Sequence, residues 1–220
     1  NDWLEQLWIT SSLVQADAIY GFCIFSSDHP LGRIFCALTY GQGNCSPVLP
    51  ASLFKITTFY RAGFFVGHLR AGEDLIFKKQ LFDAGITVAR CPNARVLYTH
   101  FPVSIGKSIQ KVFRYELSFF RYSSLRPRRL VLLSIIPLIY LAFFLNIIIG
   151  LSMLSLYIIA RGVIDPIRRS GGRCWWKFPW QPAAAIPIVI ILDIVRVFGL
   201  LAGVTSFFMS KLCNPSQSSR

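Results

Sequence analysis

Acidic side chains are scarce in this chain of 220 residues, with 10 Asp and Glu against 23 Lys and Arg. The shortage is local: residues 1–100 carry 7 acids and 8 bases, whereas residues 101–220 carry 3 acids and 15 bases. No charge at all occurs over the 31 positions from Leu130 to Ala160. The basic half is therefore also the apolar half, and its cations flank apolar runs instead of lining a soluble face. That placement argues against nucleic acid as a partner and for an anionic membrane surface. The six cysteines (Cys23, Cys36, Cys45, Cys91, Cys174 and Cys213) form no CxxC pair and no metal-ligand spacing, which leaves free thiols in a reducing compartment. No internal repeat occurs, and neither a Walker nor a Rossmann glycine fingerprint is present. His29 and His68 lie in apparent loops without partner spacing.

With 54% hydrophobic residues and a mean hydropathy of +0.52, the chain is too apolar for an ordinary soluble domain. Its length suits one domain plus membrane spans. No initiator Met or signal peptide opens it, and Trp3, Leu4, Leu7 and Trp8 already follow a helical pattern, so a truncated N-terminus is expected. Periodicity predicts a helix over 3–14, and the apolar run from Asp17 to Phe25 predicts a strand buried on both faces. Residues 26–50 hold Pro30, Gly32, Gly41, Gly43, Pro47 and Pro50 and read as a loop around one apolar piece at 34–38. That loop is either a lid lining a site or a plain surface connection. A helix from Asp74 to Ala84 stops at Gly85, and short strands follow at 86–89 and 95–100.

From Ile105 to Tyr122 apolar residues at helical spacing alternate with Lys107, Lys111, Arg114 and Arg121, the profile of a helix lying in a membrane interface. A single span needs about 20 residues, so the uncharged run at 130–160 is either one over-long tilted helix or two short ones. Arg126, Arg128 and Arg129 precede it, and Arg161, Arg168, Arg169, Arg173 and Lys177 follow it. If positive loops stay cytoplasmic, the number of crossings is even, which favours a hairpin turning near Asn146 to Ser152. Trp175, Trp176 and Trp180 read as interfacial anchors before a further span at about 184–209. Asp193 and Arg196 lie within that span, three apart on one face. They read as a self-neutralised pair packed against the hairpin, with a functional intramembrane pair as the alternative. The expected organisation is an α/β part over 1–125 that includes the interfacial helix 105–122, a transmembrane region over 126–210 and a polar tail at 211–220.

Chemistry concentrates in the stretch Arg70-Ala-Gly-Glu-Asp-Leu75. Asp74 falls where a helix start offers unpaired N–H groups and positive dipole potential, which keep a carboxylate ionised and oriented. Such a carboxylate accepts a proton from an attacking alcohol; a simple N-cap is the alternative. Glu73 either orients that base or is a solvated first-turn acid. His100, closing an apolar strand, is either a metal-facing imidazole or a hydrogen-bonded strand-end residue.

Several landmarks come in one order: Asn1-Asp-Trp-Leu-Glu-Gln-Leu7, Ala16-Asp-Ala-Ile-Tyr-Gly21, Ser46 to Lys55, Phe59-Tyr-Arg-Ala-Gly-Phe-Phe65, Ala71-Gly-Glu-Asp-Leu75 and Ala94-Arg-Val-Leu-Tyr-Thr-His100. In that order they resemble the second half of a family 2 glycosyltransferase of the GT-A, Rossmann-like fold, followed by a helical membrane region. Ser46 to Lys55 resembles the acceptor-side loop, and Gly-Glu-Asp the xED motif. The resemblance implies inverting transfer of a hexose-type sugar from a nucleotide-diphosphate donor to an acceptor hydroxyl. In it Asp74 is the general base, Glu73 its supporting acid, and His100 a contributor to a Mg²⁺ or Mn²⁺ site held mainly by a DxD motif. No DxD occurs in these residues, so the chain resembles a fragment without its donor half, expected to be inactive alone. Where processive relatives carry QxxRW, Lys111-Val-Phe-Arg114-Tyr115 stands here, which implies addition of one or few sugars. Lys111, Arg114 and Tyr115 are then substrate-binding, Arg114 toward the donor diphosphate, with lipid head-group binding as the alternative.

The partners implied are a nucleotide sugar, a lipid-linked or glycan acceptor and membrane lipids. The place implied is a multi-pass protein of bacterial inner-membrane type with a cytoplasmic catalytic face, working in polysaccharide or cell-envelope biosynthesis. Two other classes stay open on sequence alone. One is a non-catalytic membrane scaffold or glycan- or lipid-handling subunit in which Gly-Glu-Asp is only a cap. The other, a transporter around Asp193 and Arg196, is disfavoured by the small number of spans and the missing inverted repeat.

Overall fold

A computed structural model describes residues 2–67, 72–119 and 126–213, a mixed α/β protein with a three-stranded sheet. His68, the Arg70-Ala71 opening of the acidic stretch, residues 120–122 of the expected interfacial helix and the tail from 214 lie outside the described residues. The chain forms two units. The first comprises residues up to 69, 73–101 and 166–177; the second holds 102–165 and the residues from 178 onward.

In the first unit, α1 (Trp3–Leu13) leads to β1 (Ala18–Phe25), the central strand of a sheet ordered β2-β1-β3. β2 (Cys45–Phe54) pairs with it antiparallel and β3 (Val88–Tyr98) parallel. Leu7 of α1 is fully buried with Ile19, Cys91 and Ala94, which fixes α1 on the sheet. The stretch read as a loop at 26–50 is ordered structure: α2 (Pro30–Thr39) and the start of β2. The physical reason is positional. Pro30 occupies the first helical turn, where no N–H is needed, and the His29 imidazole accepts from the Gly32 amide at 3.5 Å. Pro47 and Pro50 sit on a strand that pairs on one side only, where a missing donor is tolerated. Ile34, Phe35, Cys36, Ala37 and Leu38 are all buried, so α2 is a core helix and not a lid.

The two short strands expected at 86–89 and 95–100 are one strand, β3. Its ladder to β1 jumps from Arg90, opposite Tyr20, to Arg95, opposite Phe22, so the intervening residues bulge out of register. α3 (Ile56–Ala62) and α4 (Glu73–Asp83) precede it, and Gly85, at φ +62, ends α4 in the left-handed conformation. Residues 166–177 also belong to this unit. Arg169 donates to the Thr39 carbonyl at 2.8 Å, Gln42 N–H to the Ser170 hydroxyl at 3.0 Å, and Arg33 to the Trp175 carbonyl at 3.4 Å. Trp175, expected as an interfacial anchor, is 1% exposed and buried instead.

The second unit holds α5 (Ile105–Phe119), α6 (Arg126–Leu145), α7 (Ile147–Ile159), a π-helical turn (Ala160–Ile164), the first residue of α8 (Asp165–Arg169), and α9 (Trp180–Cys213). α5 packs along α9, where Gly199 admits it: a Cβ there would lie 2.9 Å from the Glu116 Cβ and 3.1 Å from the Phe113 carbonyl. The uncharged run is broken at Asn146, whose side chain caps α7 by accepting from the amides of Ile148 at 2.8 Å and Ile149 at 3.3 Å. Among the described residues two helices are long and apolar enough to cross a membrane, Ile147–Arg169 and Trp180–Ser206.

Candidate functional site

Glu73 and Asp74 form the first turn of α4, directly after Gly72 at φ +84, and both are half-buried. The helix is anchored below them by Phe77 and Leu81, which pack with Ala18, Leu49 and Ile86. Phe77 also stacks on Phe65 at 4.1 Å and on Phe59 at 5.6 Å between ring centres. Rigid rings thus hold the turn that carries both carboxylates. One oxygen of Glu73, Oε2, is buried and has no hydrogen-bond partner among the described residues. A buried carboxylate oxygen left unmet is costly and asks for a reason.

His100 lies two residues beyond the end of β3 and is exposed, its ring 6.3 Å from that of Tyr98. No hydrogen bond or ion pair among the described residues joins it to the acidic pair. His100 follows the strand end at which Tyr98 pairs with Phe25, and α4 is anchored through Phe77 and Leu81 in the cluster of Ala18, Leu49 and Ile86. Among the described residues no three His, Cys, Asp or Glu side chains gather as a metal centre.

Lys111, Arg114 and Tyr115 do come together. With Lys107 and Gln110 they line a cavity of about 210 Å³ on α5, and the Lys111 ammonium stands 5.7 Å from the centre of the Tyr115 ring. A second, apolar cavity of about 540 Å³ lies on α6, lined by Ile136, Pro137, Tyr140, Leu141 and Phe144.

Sequence reasoning singled out Asp193 and Arg196 but missed the cluster they belong to. Asp193, fully buried, accepts from the Tyr157 hydroxyl at 2.7 Å and from both Nε and Nη2 of Arg161 at 2.9 Å, a bidentate fork. It also accepts from Arg196 Nη1. Arg161 reaches Asp165 as well, and Arg196 Nε stands 3.9 Å from Oε1 of Glu116, which is 2% exposed. Acid and base alternate along Asp165, Arg161, Asp193, Arg196 and Glu116. The pair at 193 and 196 is thus not neutralised within itself. Two signals pointed there: the i,i+4 spacing of Arg161 and Asp165, and Glu116 as the lone acid of a basic helix.

No family model, curated protein or solved structure matches the chain.

Proposed function

We propose that the chain is the acceptor-side part of a membrane-bound, inverting glycosyltransferase with a GT-A-like catalytic domain, in which Asp74 is the general base. The observation that carries the reading is the first turn of α4, where two half-buried carboxylates stand on a rigid aromatic base and one Glu73 oxygen is buried with no hydrogen bond among the described residues. Asp74 accepts the proton of the acceptor hydroxyl as its oxygen bonds to the anomeric carbon and the bond from that carbon to the donor's nucleotide diphosphate breaks, the diphosphate leaving with the electron pair; Glu73 orients the base or holds a neighbouring hydroxyl. His100 offers one exposed imidazole toward a metal and diphosphate site completed elsewhere.

The reading is tested by incubating the full-length protein, in membranes, with labelled nucleotide-diphosphate sugars and extracted lipid acceptors. A single displacement assisted by a base inverts the anomeric centre, so the product is expected to carry the configuration opposite to that of the donor, read from its anomeric proton coupling. A product that keeps the donor configuration would speak against Asp74 as the base. A second reading is a non-catalytic membrane module in which Gly-Glu-Asp serves only as a cap, favoured by the place of Glu73 and Asp74 in the first turn of α4. Absence of any transfer, with Asp74→Asn leaving the folded protein less stable through loss of a first-turn charge, would support that module.

A further inference from the structure

α5 has two unlike faces. At about 100° per residue, Lys107, Lys111 and Arg114 fall within some 60° of one another, and Glu116 points about 180° away from Lys107. The burial follows this geometry: Lys107 and Arg114 are exposed, whereas Ser108 and Glu116 are 3% and 2% exposed. On the outer face three cations, the Gln110 amide and the Tyr115 phenol converge on one shallow cavity. At the same spacing Leu117 and Phe113 fall beyond Gln110, about 80° and 120° from Lys107, and each is more than a third exposed. On the inner face Glu116 meets Arg196, which grips Asp193, which Arg161 and Tyr157 hold in turn. Rolling the helix about its axis would pull Glu116 out of that linkage. The buried cluster therefore sets which way the cations point.

We propose that the outer face of α5 holds the phosphate of an anionic membrane lipid, with Lys107, Lys111 and Arg114 as its charge partners and Gln110 and Tyr115 as hydrogen-bond donors. Charge complementarity and these two apolar side chains choose the occupant together. A soluble phosphate would gain nothing from Phe113 and Leu117, whereas a lipid brings acyl chains to cover them. The same chain carries two helices long and apolar enough to cross a bilayer, so such a lipid is at hand. Glu116, Arg196 and Asp193 are positioning residues, acting through the rotation of α5. This inference goes beyond the transferase reading and does not depend on it, since a lipid is held with or without turnover.

The test places the full chain in nanodiscs of mixed phosphatidylcholine and phosphatidylglycerol and counts, by native mass spectrometry, the lipids that stay bound on release. Wild type is expected to retain phosphatidylglycerol in preference to phosphatidylcholine. Changing Lys107, Lys111 and Arg114 together to Gln should cut that preference by at least about tenfold, given roughly fivefold for each cation near a membrane surface. Lys107→Arg with Lys111→Arg should keep it. Glu116→Gln leaves all three cations in place and should weaken the preference in part, a change that loss of charge on the outer face cannot produce. Inorganic phosphate should not displace the lipid. Equal retention of both lipids by wild type, or no loss in the triple Gln variant, overturns the proposal. So does displacement by uridine diphosphate, which would assign the cavity to a soluble diphosphate.

Discussion

Asp17 shows how one residue ties together segments far apart in the chain. Its Oδ2 accepts from the Thr87 amide at 3.2 Å, the Thr87 hydroxyl at 3.0 Å and Arg61 at 3.2 Å. The Thr87 hydrogen bonds, helped by the charge of Arg61, hold its carboxyl below the usual carboxylate range. Folding then favours the ionised form. The stability this adds is present above the unfolded value, near pH 4, and is lost as pH falls through the lower folded value. Asp17→Asn should therefore lower the midpoint of chemical unfolding at pH 7, with the difference from wild type shrinking below about pH 4; an undiminished gap at low pH would contradict the account. The thiols give a second check. Burial pushes Cys36 up to about 12, and Cys23 and Cys91 are also buried, whereas Cys45 and Cys174 are exposed. Peptide mapping after brief maleimide treatment at pH 7 should find Cys45 and Cys174 modified and Cys23, Cys36 and Cys91 intact. The free state of these thiols was legible from their spacing. The role of Asp17 was not, because its partners lie 44 and 70 positions away.

Among the elements, those with one strong local signal were legible. The helix ending at Gly85 and the buried strand β1 stand where periodicity and glycine put them. α2 and β2 were hidden because proline was weighed as a breaker of structure, when Pro30 in a first turn and Pro47 on an edge strand each suit the element they occupy. The charge cluster was only half visible, since its members come from α5, from the run of α7, the π-helical turn and α8, and from α9. Its energetics are testable at this scale. Asp193→Ala would leave Arg161 and Arg196 buried without their shared acceptor, and should cost about 3–5 kcal/mol in detergent unfolding. Replacing Tyr157, Arg161, Asp193 and Arg196 together with apolar residues of similar volume should cost far less. Equal losses in the two variants would mean that the cluster acts through shape alone. The π-helical turn contains Arg161, so its extra residue turns that side chain toward Asp193.

At the scale of the whole molecule, composition foretold the division into an α/β part and apolar helices, but its boundaries followed contacts that no sequence window contains. α5, grouped by sequence with the first part, packs on α9, and the Pro166–Lys177 segment folds with the sheet through Arg169, Ser170 and Trp175. A tryptophan beside a lysine before an apolar helix reads as a membrane anchor, yet Trp175 is buried and its carbonyl accepts from Arg33 of α2. The central claim rests on the carboxylates at the start of α4 and is tested most directly by the initial rate of sugar transfer in the full-length protein carrying Asp74→Asn. General-base catalysis contributes about 10²–10⁴-fold, so the rate should fall at least about a hundredfold with donor binding unchanged. Transfer at the wild-type rate would contradict the account.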